Sequence, residues 1–213
     1  MGKINQGILG GFSGKVGNVI GGNWKGIDYM RVKPASVANP QTEGQVDQRS
    51  KFSTVLKFLQ PMKDYVKIGF KGYANKMTQF NSAMSYNLKN AITGSYPNFT
   101  IDYANALISR GSLAGVLNGA IQSASAGSVA FSWDDNSSDG NALATDKSML
   151  LIYNKDKDEA IFITDGATRS SGSQTLTVPD NYSGDLLQCF ISFISEDGVS
   201  IANSKYIGFT NVA

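Results

Sequence analysis

Histidine is absent from the 213 residues, and cysteine occurs once, at Cys189. Without an imidazole, the Ser-His and Cys-His nucleophile pairs and the histidine-ligated metal sites are excluded. One thiol builds neither an intrachain disulfide nor a thiolate metal cluster. No apolar run approaches the roughly 18 residues of a spanning helix, so no membrane insertion is expected. The opening Met1-Gly2-Lys3-Ile4-Asn5-Gln6 holds no secretory h-region, and Gln6 stands where myristoylation needs Ser or Thr. These features leave the compartment open. What is present, 41% hydrophobic and 10% aromatic residues, describes a folded chain with room for one large domain or two small ones.

The net charge of +2 conceals a division. Residues 1–100 carry 13 Lys and Arg against four acids, a net of +9, whereas residues 101–213 carry six against 13, a net of −7. Texture changes at the same place, so two domains are expected, 1–100 and 101–213, meeting near Tyr96-Pro97. Nine glycines fall in the first 26 residues, interleaved with Ile8, Leu9, Phe12, Val16, Val19, Ile20 and Trp24. This density opposes a helix, and the apolar residues oppose a solvated linker. Gly21-Gly22 reads as a tight turn between Lys15–Ile20 and Asn23–Val32, a glycine-rich β-hairpin. Thr42 with Gln45 forms a capping box for a helix whose face is Phe52, Val55, Leu56 and Leu59, bounded by Pro61. Thr78 opens a second helix through Met77, Phe80, Met84, Leu88 and Ala91, with Gly94 as its stop. Hairpin and two helices make an α+β unit.

Beyond Leu107 the period becomes two. Strands are expected at Leu113–Ile121, Val129–Trp133, Ser148–Asn154, Ala160–Thr164, Gln174–Val178, Leu186–Ser195 and Val199–Phe209. In the sixth, Leu187, Cys189, Ile191 and Phe193 share a face, which places the thiol in a core and makes it inert. Asp197-Gly198 signals a hairpin into the last strand. Seven short strands with regular turn signals predict an all-β sandwich of the immunoglobulin or fibronectin kind, with Tyr182 placed to act as a tyrosine corner.

The runs Gly10-Gly11-Phe12-Ser13-Gly14-Lys15-Val16-Gly17, Trp24-Lys25-Gly26 with Arg31 and Pro34, and Gln45 with Arg49 and Phe52 resemble a family of short Bacteroidetes proteins of unknown function. The likeness continues through Gly69-Phe70, Phe80-Asn81, Ile101-Asp102-Tyr103, Ser132-Trp133 and Ser204-Lys205-Tyr206. It implies a bacterial source and a two-part chain, a glycine-rich arm before an immunoglobulin-like half. It carries no catalytic residue.

Gly10 to Lys15 suggests a phosphate loop, but Leu9 and Val16 stand where Walker A needs Gly and Ser or Thr. Asp135, Ser137, Asp139, Gly140 and Asp146 fall on positions 1, 3, 5, 6 and 12 of a calcium loop, which makes Asp135, Ser137, Asp139 and Asp146 the candidate ligands and calcium the one candidate cofactor. The carboxylates Asp134, Asp135, Asp156, Asp158 and Glu159 sit in turn contexts that do not separate two pKa values for glycosidase work. A non-enzymatic structural protein is therefore expected, self-assembling as a filament, appendage or virion-associated subunit. Its arm lacks partners, and its halves could meet head to tail between copies. The alternatives are a cell-surface or glycan-binding module, with Trp133 and Tyr153 as stacking residues, and a nucleic-acid-binding protein using the basic half, where Lys63, Lys67, Lys71 and Lys76 are dispersed.

Overall fold

A computed structural model of the chain describes residues 2–4, 10–24, 26–36, 39, 41–75, 77–125 and 127–211. Ile8, Leu9, Lys25 and Lys76 lie outside the described residues. The chain divides into two units, Met1–Thr42 and Glu43–Ala213.

In the first unit, β1 (Lys3–Ile4), β2 (Phe12–Val16), β3 (Val19–Trp24) and β4 (Ile27–Val32) form an antiparallel sheet in chain order. The expected turn is corrected here. Gly17, at φ 58°, turns β2 into β3, and Gly26, at φ 88°, precedes β4. Gly21-Gly22 lies inside β3, where Gly21 pairs with Gly14 and Met30. A Cβ on Gly21 would come within 2.2 Å of the Phe12 carbonyl oxygen, so glycine there permits close strand approach instead of chain reversal.

The second unit begins with α1 (Glu43–Leu59), a 3₁₀ turn at Gln60–Met62, α2 (Lys63–Gly69) and α3 (Gln79–Asn90). The Thr78 hydroxyl caps α3 by accepting the Asn81 N–H at 3.2 Å. Pro61 sits at the start of the 3₁₀ turn, where its missing N–H leaves no broken bond, so the chain continues into α2, a helix the sequence pattern did not suggest. The buried face of α1 is Val55, Phe58 and Leu59. Phe52, expected on that face, is 50% exposed. β5 (Ile92–Ser95) and β6 (Asn98–Ile101) follow as a hairpin whose turn is Tyr96-Pro97, a cis peptide. The expected domain boundary is thus a hairpin turn, and the division falls after Thr42.

The remaining strands are β7 (Leu117–Ser125), β8 (Ser128–Asp134), β9 (Lys147–Asn154), β10 (Glu159–Ile163), β11 (Ser173–Thr177), β12 (Leu186–Ile194) and β13 (Lys205–Asn211). All seven expected strands appear in order. The first and last start late because Leu113 and Ala202 make only an isolated bridge with each other. The sheets are β10-β9-β12-β13 and β11-β8-β7, antiparallel throughout. Between them lies a core of Val129, Phe131, Trp133, Leu150, Ile152, Leu187, Cys189, Ile191 and Phe193. The other face of the four-stranded sheet, with Met149, Leu151, Tyr153 and Phe190, packs on Val55, Phe58, Leu59, Met62, Tyr65 and Val66 of the helical layer. Two-sided covering binds the helices to the sandwich as one unit. Each large apolar side chain so buried contributes about 1.5–3 kcal/mol.

Candidate functional site

The loop after β8 is built around a cation, and that cation is an arginine. Arg169 and Asp146 are both fully buried, and the Arg169 Nε donates to Asp146 Oδ2 at 3.1 Å. Its Nη1 donates to Asn136 Oδ1 at 2.6 Å and to the Gly115 carbonyl at 3.1 Å, and Nη2 donates to the Ala114 carbonyl at 2.9 Å. The guanidinium lies 3.8 Å from the Phe193 ring centroid, and the Trp133 indole N–H donates to the Arg169 carbonyl at 2.7 Å. Burial lowers the Arg169 pKa, opposed chiefly by the Asp146 carboxylate and more weakly by Asp135 and Asp139.

Of the four candidate calcium ligands, Asp146 is taken up by this arrangement. Asp146 turns inward to Arg169, Asp135 Oδ1 accepts the Ser137 N–H at 3.0 Å as an ordinary turn, and Asp139 is exposed. Among the described residues, no group of three or more acidic or thiol ligands converges on one point. Arg169 gave no sequence signal, because Thr168, Ser170 and Ser171 flank it as a polar loop would.

The residues proposed for glycan stacking are also relocated. Trp133 is a core residue, set edge-on to Phe193 with ring centroids 5.6 Å apart. Tyr153 is buried against Phe58, but its hydroxyl emerges at a cleft and donates to Asp158 Oδ1 at 3.2 Å. That cleft, about 300 Å³, lies between α1, β6 and the β9–β10 turn and is lined by Phe58, Phe99, Tyr103, Tyr153, Lys57 and Asp158 among others. Lys57 Nζ reaches Asp158 Oδ2 at 2.8 Å. Burial, with Tyr206, Asp156 and Asp158 nearby, pushes the Tyr103 phenol up to about 12. Burial, with Tyr103 and Asp158, raises Tyr153 as well. Both phenols are neutral hydrogen-bond donors at physiological pH.

Tyr182 ends a short 3₁₀ turn before β12, at the corner position, yet its hydroxyl donates to Glu159 Oε2 at 2.9 Å instead of to nearby backbone. Among the described lysines of the basic half, Lys51 pairs with Asp47, Lys57 pairs with Asp158, and Lys71 donates to the Gly198 carbonyl.

In the first unit, β4 forms the sheet's last strand and all six of its residues are exposed. Ile27, Met30, Val32 and the neighbouring Trp24 are 65%, 71%, 74% and 62% exposed. Strand alternation puts Met30 and Val32 on one face and Ile27 and Tyr29 on the other. Val16, paired with Val19, continues the first of these faces and is also exposed.

Two antiparallel sheets enclosing a core define a sandwich of the immunoglobulin and fibronectin architecture, here with helices on the outer face of the larger sheet. The fn3 domain of human collagen alpha-1(XX) chain is a similar solved structure, at 14% identity and a TM-score of 0.37, covering 49% of this chain and 91% of that one. No curated protein matches the chain. The family described as "Family of unknown function (DUF6266)" matches residues 11–208, and the chain belongs to it.

Proposed function

We propose that the protein is a non-enzymatic structural subunit that self-assembles through its N-terminal sheet. The observation that carries this reading is the exposed apolar surface on both sides of β4, at the open edge of its sheet. A small sheet needs a covered hydrophobic face for stability, and a unit of about 40 residues cannot supply one internally. A second copy adding its own sheet would cover Met30 and Val32 and satisfy the free strand edge. Association of a repeated unit through an identical arm is the pattern of filament, appendage or virion subunits.

Sedimentation of the full chain against residues 43–213 tests it. Both hydrophobic cores lie within 43–213, so the shorter chain is expected to fold and to sediment as a monomer, while the full chain associates. An identical oligomer from both, or a monomeric full chain at high concentration, would refute assembly through the arm.

A further inference from the structure

We propose that the cleft between α1, β6 and the β9–β10 turn is a binding site for a short neutral saccharide. The lining decides the ligand class. Phe99 and Tyr103 line it as half-buried aromatics; Lys51 stands 5.0 Å from the Phe99 ring centroid and Tyr206 stacks on Tyr103, so an apolar ring face would rest on the aromatic surface that these two leave uncovered. Beside them stands a donor–acceptor pair whose capacity is only partly used. The Asp158 carboxylate accepts from Tyr153 and Lys57, leaving lone pairs free, and the Lys57 ammonium has further N–H donors. Lys155, also in the lining, adds an ammonium.

An apolar ligand would strand Lys57 and Asp158 without partners, which costs affinity. A simple anion would be drawn by Lys57 and Lys155 but repelled by Asp158. A polyhydroxy ring offers hydroxyls that donate to the carboxylate, accept from the ammonium and leave an apolar face for Tyr103. Asp158 is held in place for this from two elements, the sheet through Tyr153 and the helix through Lys57. A second hollow of about 380 Å³ adjoins the first and shares Ser53, Lys57 and Asp158, so the pair stands between two compartments, room for a disaccharide.

The test is an NMR titration of the ¹⁵N-labelled full chain with glucose, galactose, N-acetylglucosamine and maltose, with inorganic phosphate as the anionic arm. At least one sugar is expected to shift amides of residues 99–103 and 153–158 with a Kd on the order of 1 to 10 mM. Lys57→Gln and Asp158→Asn should each weaken that binding about tenfold. Asn suits the left-handed backbone of Asp158, at φ 53°, and Lys57 is 69% exposed at its side chain, so both variants keep the fold. The proposal is overturned if no sugar moves these amides at about 50 mM, if phosphate moves them at lower concentration than any sugar, or if both variants bind as the parent does.

Discussion

Replacing Arg169 by Met should be among the most destabilising single changes in the second unit. Met fills much of the arginine stem's volume, so the loss is electrostatic more than volumetric. The substitution leaves Asp146 buried beside an uncharged neighbour, with Oδ2 retaining the Leu143 N–H at 2.9 Å and Oδ1 already without a partner among the described residues. It also strips a donor from Asn136 Oδ1 and from the Gly115 and Ala114 carbonyls. Removing one member of a buried ion pair costs about 3–5 kcal/mol, because the remaining charge is uncompensated. For a domain of this size each kcal/mol lowers Tm by about 2–4 °C, so a fall of roughly 6–20 °C is expected.

Asp146→Asn provides the control of mechanism. In the parent it removes the carboxylate from a satisfied guanidinium and should destabilise. In the Arg169→Met background it removes the stranded charge and should restore stability. Thermal melts of the four proteins at pH 7, analysed as a double-mutant cycle, measure this reversal. A loss under about 1 kcal/mol for Arg169→Met, or additive effects of the two changes, would show that the pair does not organise the loop.

Burial raises the Cys189 thiol to about 12, so Ellman's reagent should react with the native protein only as fast as it unfolds, and at once in guanidinium; prompt native reaction would contradict its place in the core. Gly111→Ala should destabilise markedly, since a Cβ there would stand 1.9 Å from the Ile201 carbonyl oxygen, and an unchanged melting temperature would show the backbones are further apart. The Asp185 pKa is lowered by its hydrogen bonds from Lys157 and then Asn154. A folded value below the unfolded one gives stability that is present above about pH 4 and lost as pH falls through the folded value. The Tm deficit of Asp185→Asn at pH 7 should therefore shrink in acid, and a constant deficit would mean the carboxylate's charge plays no part.

The sandwich was legible because its strands alternate and its turns carry Asp-Gly and similar signals. Leu187, Cys189, Ile191 and Phe193 mark one buried face of β12 in sequence and in structure. The helical cover was harder to see, although one signal existed: Met149-Leu150-Leu151-Ile152-Tyr153 is an unbroken apolar run, as a strand buried on both faces requires. Phe58 of α1 and Met62 of the following 3₁₀ turn fall outside a stripe that starts at Phe52, because that start sets the face too far round the helix. Arg169 and the Lys57–Asp158 pair were illegible because each joins residues far apart in the chain, 23 positions for Arg169 and Asp146, through contacts that no local periodicity encodes.

The charge division takes a different meaning once the boundary lies after Thr42. Residues 1–42 carry five Lys and Arg against Asp28 alone, a net of +4, which leaves −2 for residues 43–213. The basic helices and the acidic turns belong to one unit and meet there: Lys57 of α1 pairs with Asp158 of the β9–β10 turn, and Lys71 donates to the Gly198 carbonyl between β12 and β13. Charges satisfied within a chain are poor glue between chains, so a head-to-tail electrostatic contact is not what the assembly should depend on. The arm offers apolar surface and a strand edge instead, and burial of apolar surface is not screened by salt. Raising NaCl from about 0.1 M to about 1 M shortens the Debye length from ~10 Å to ~3 Å and should leave association unchanged or slightly stronger. Sedimentation equilibrium of the full chain at the two salt concentrations measures this. A tenfold or greater weakening at high salt would place the contact on the charged surfaces and remove the arm from the assembly.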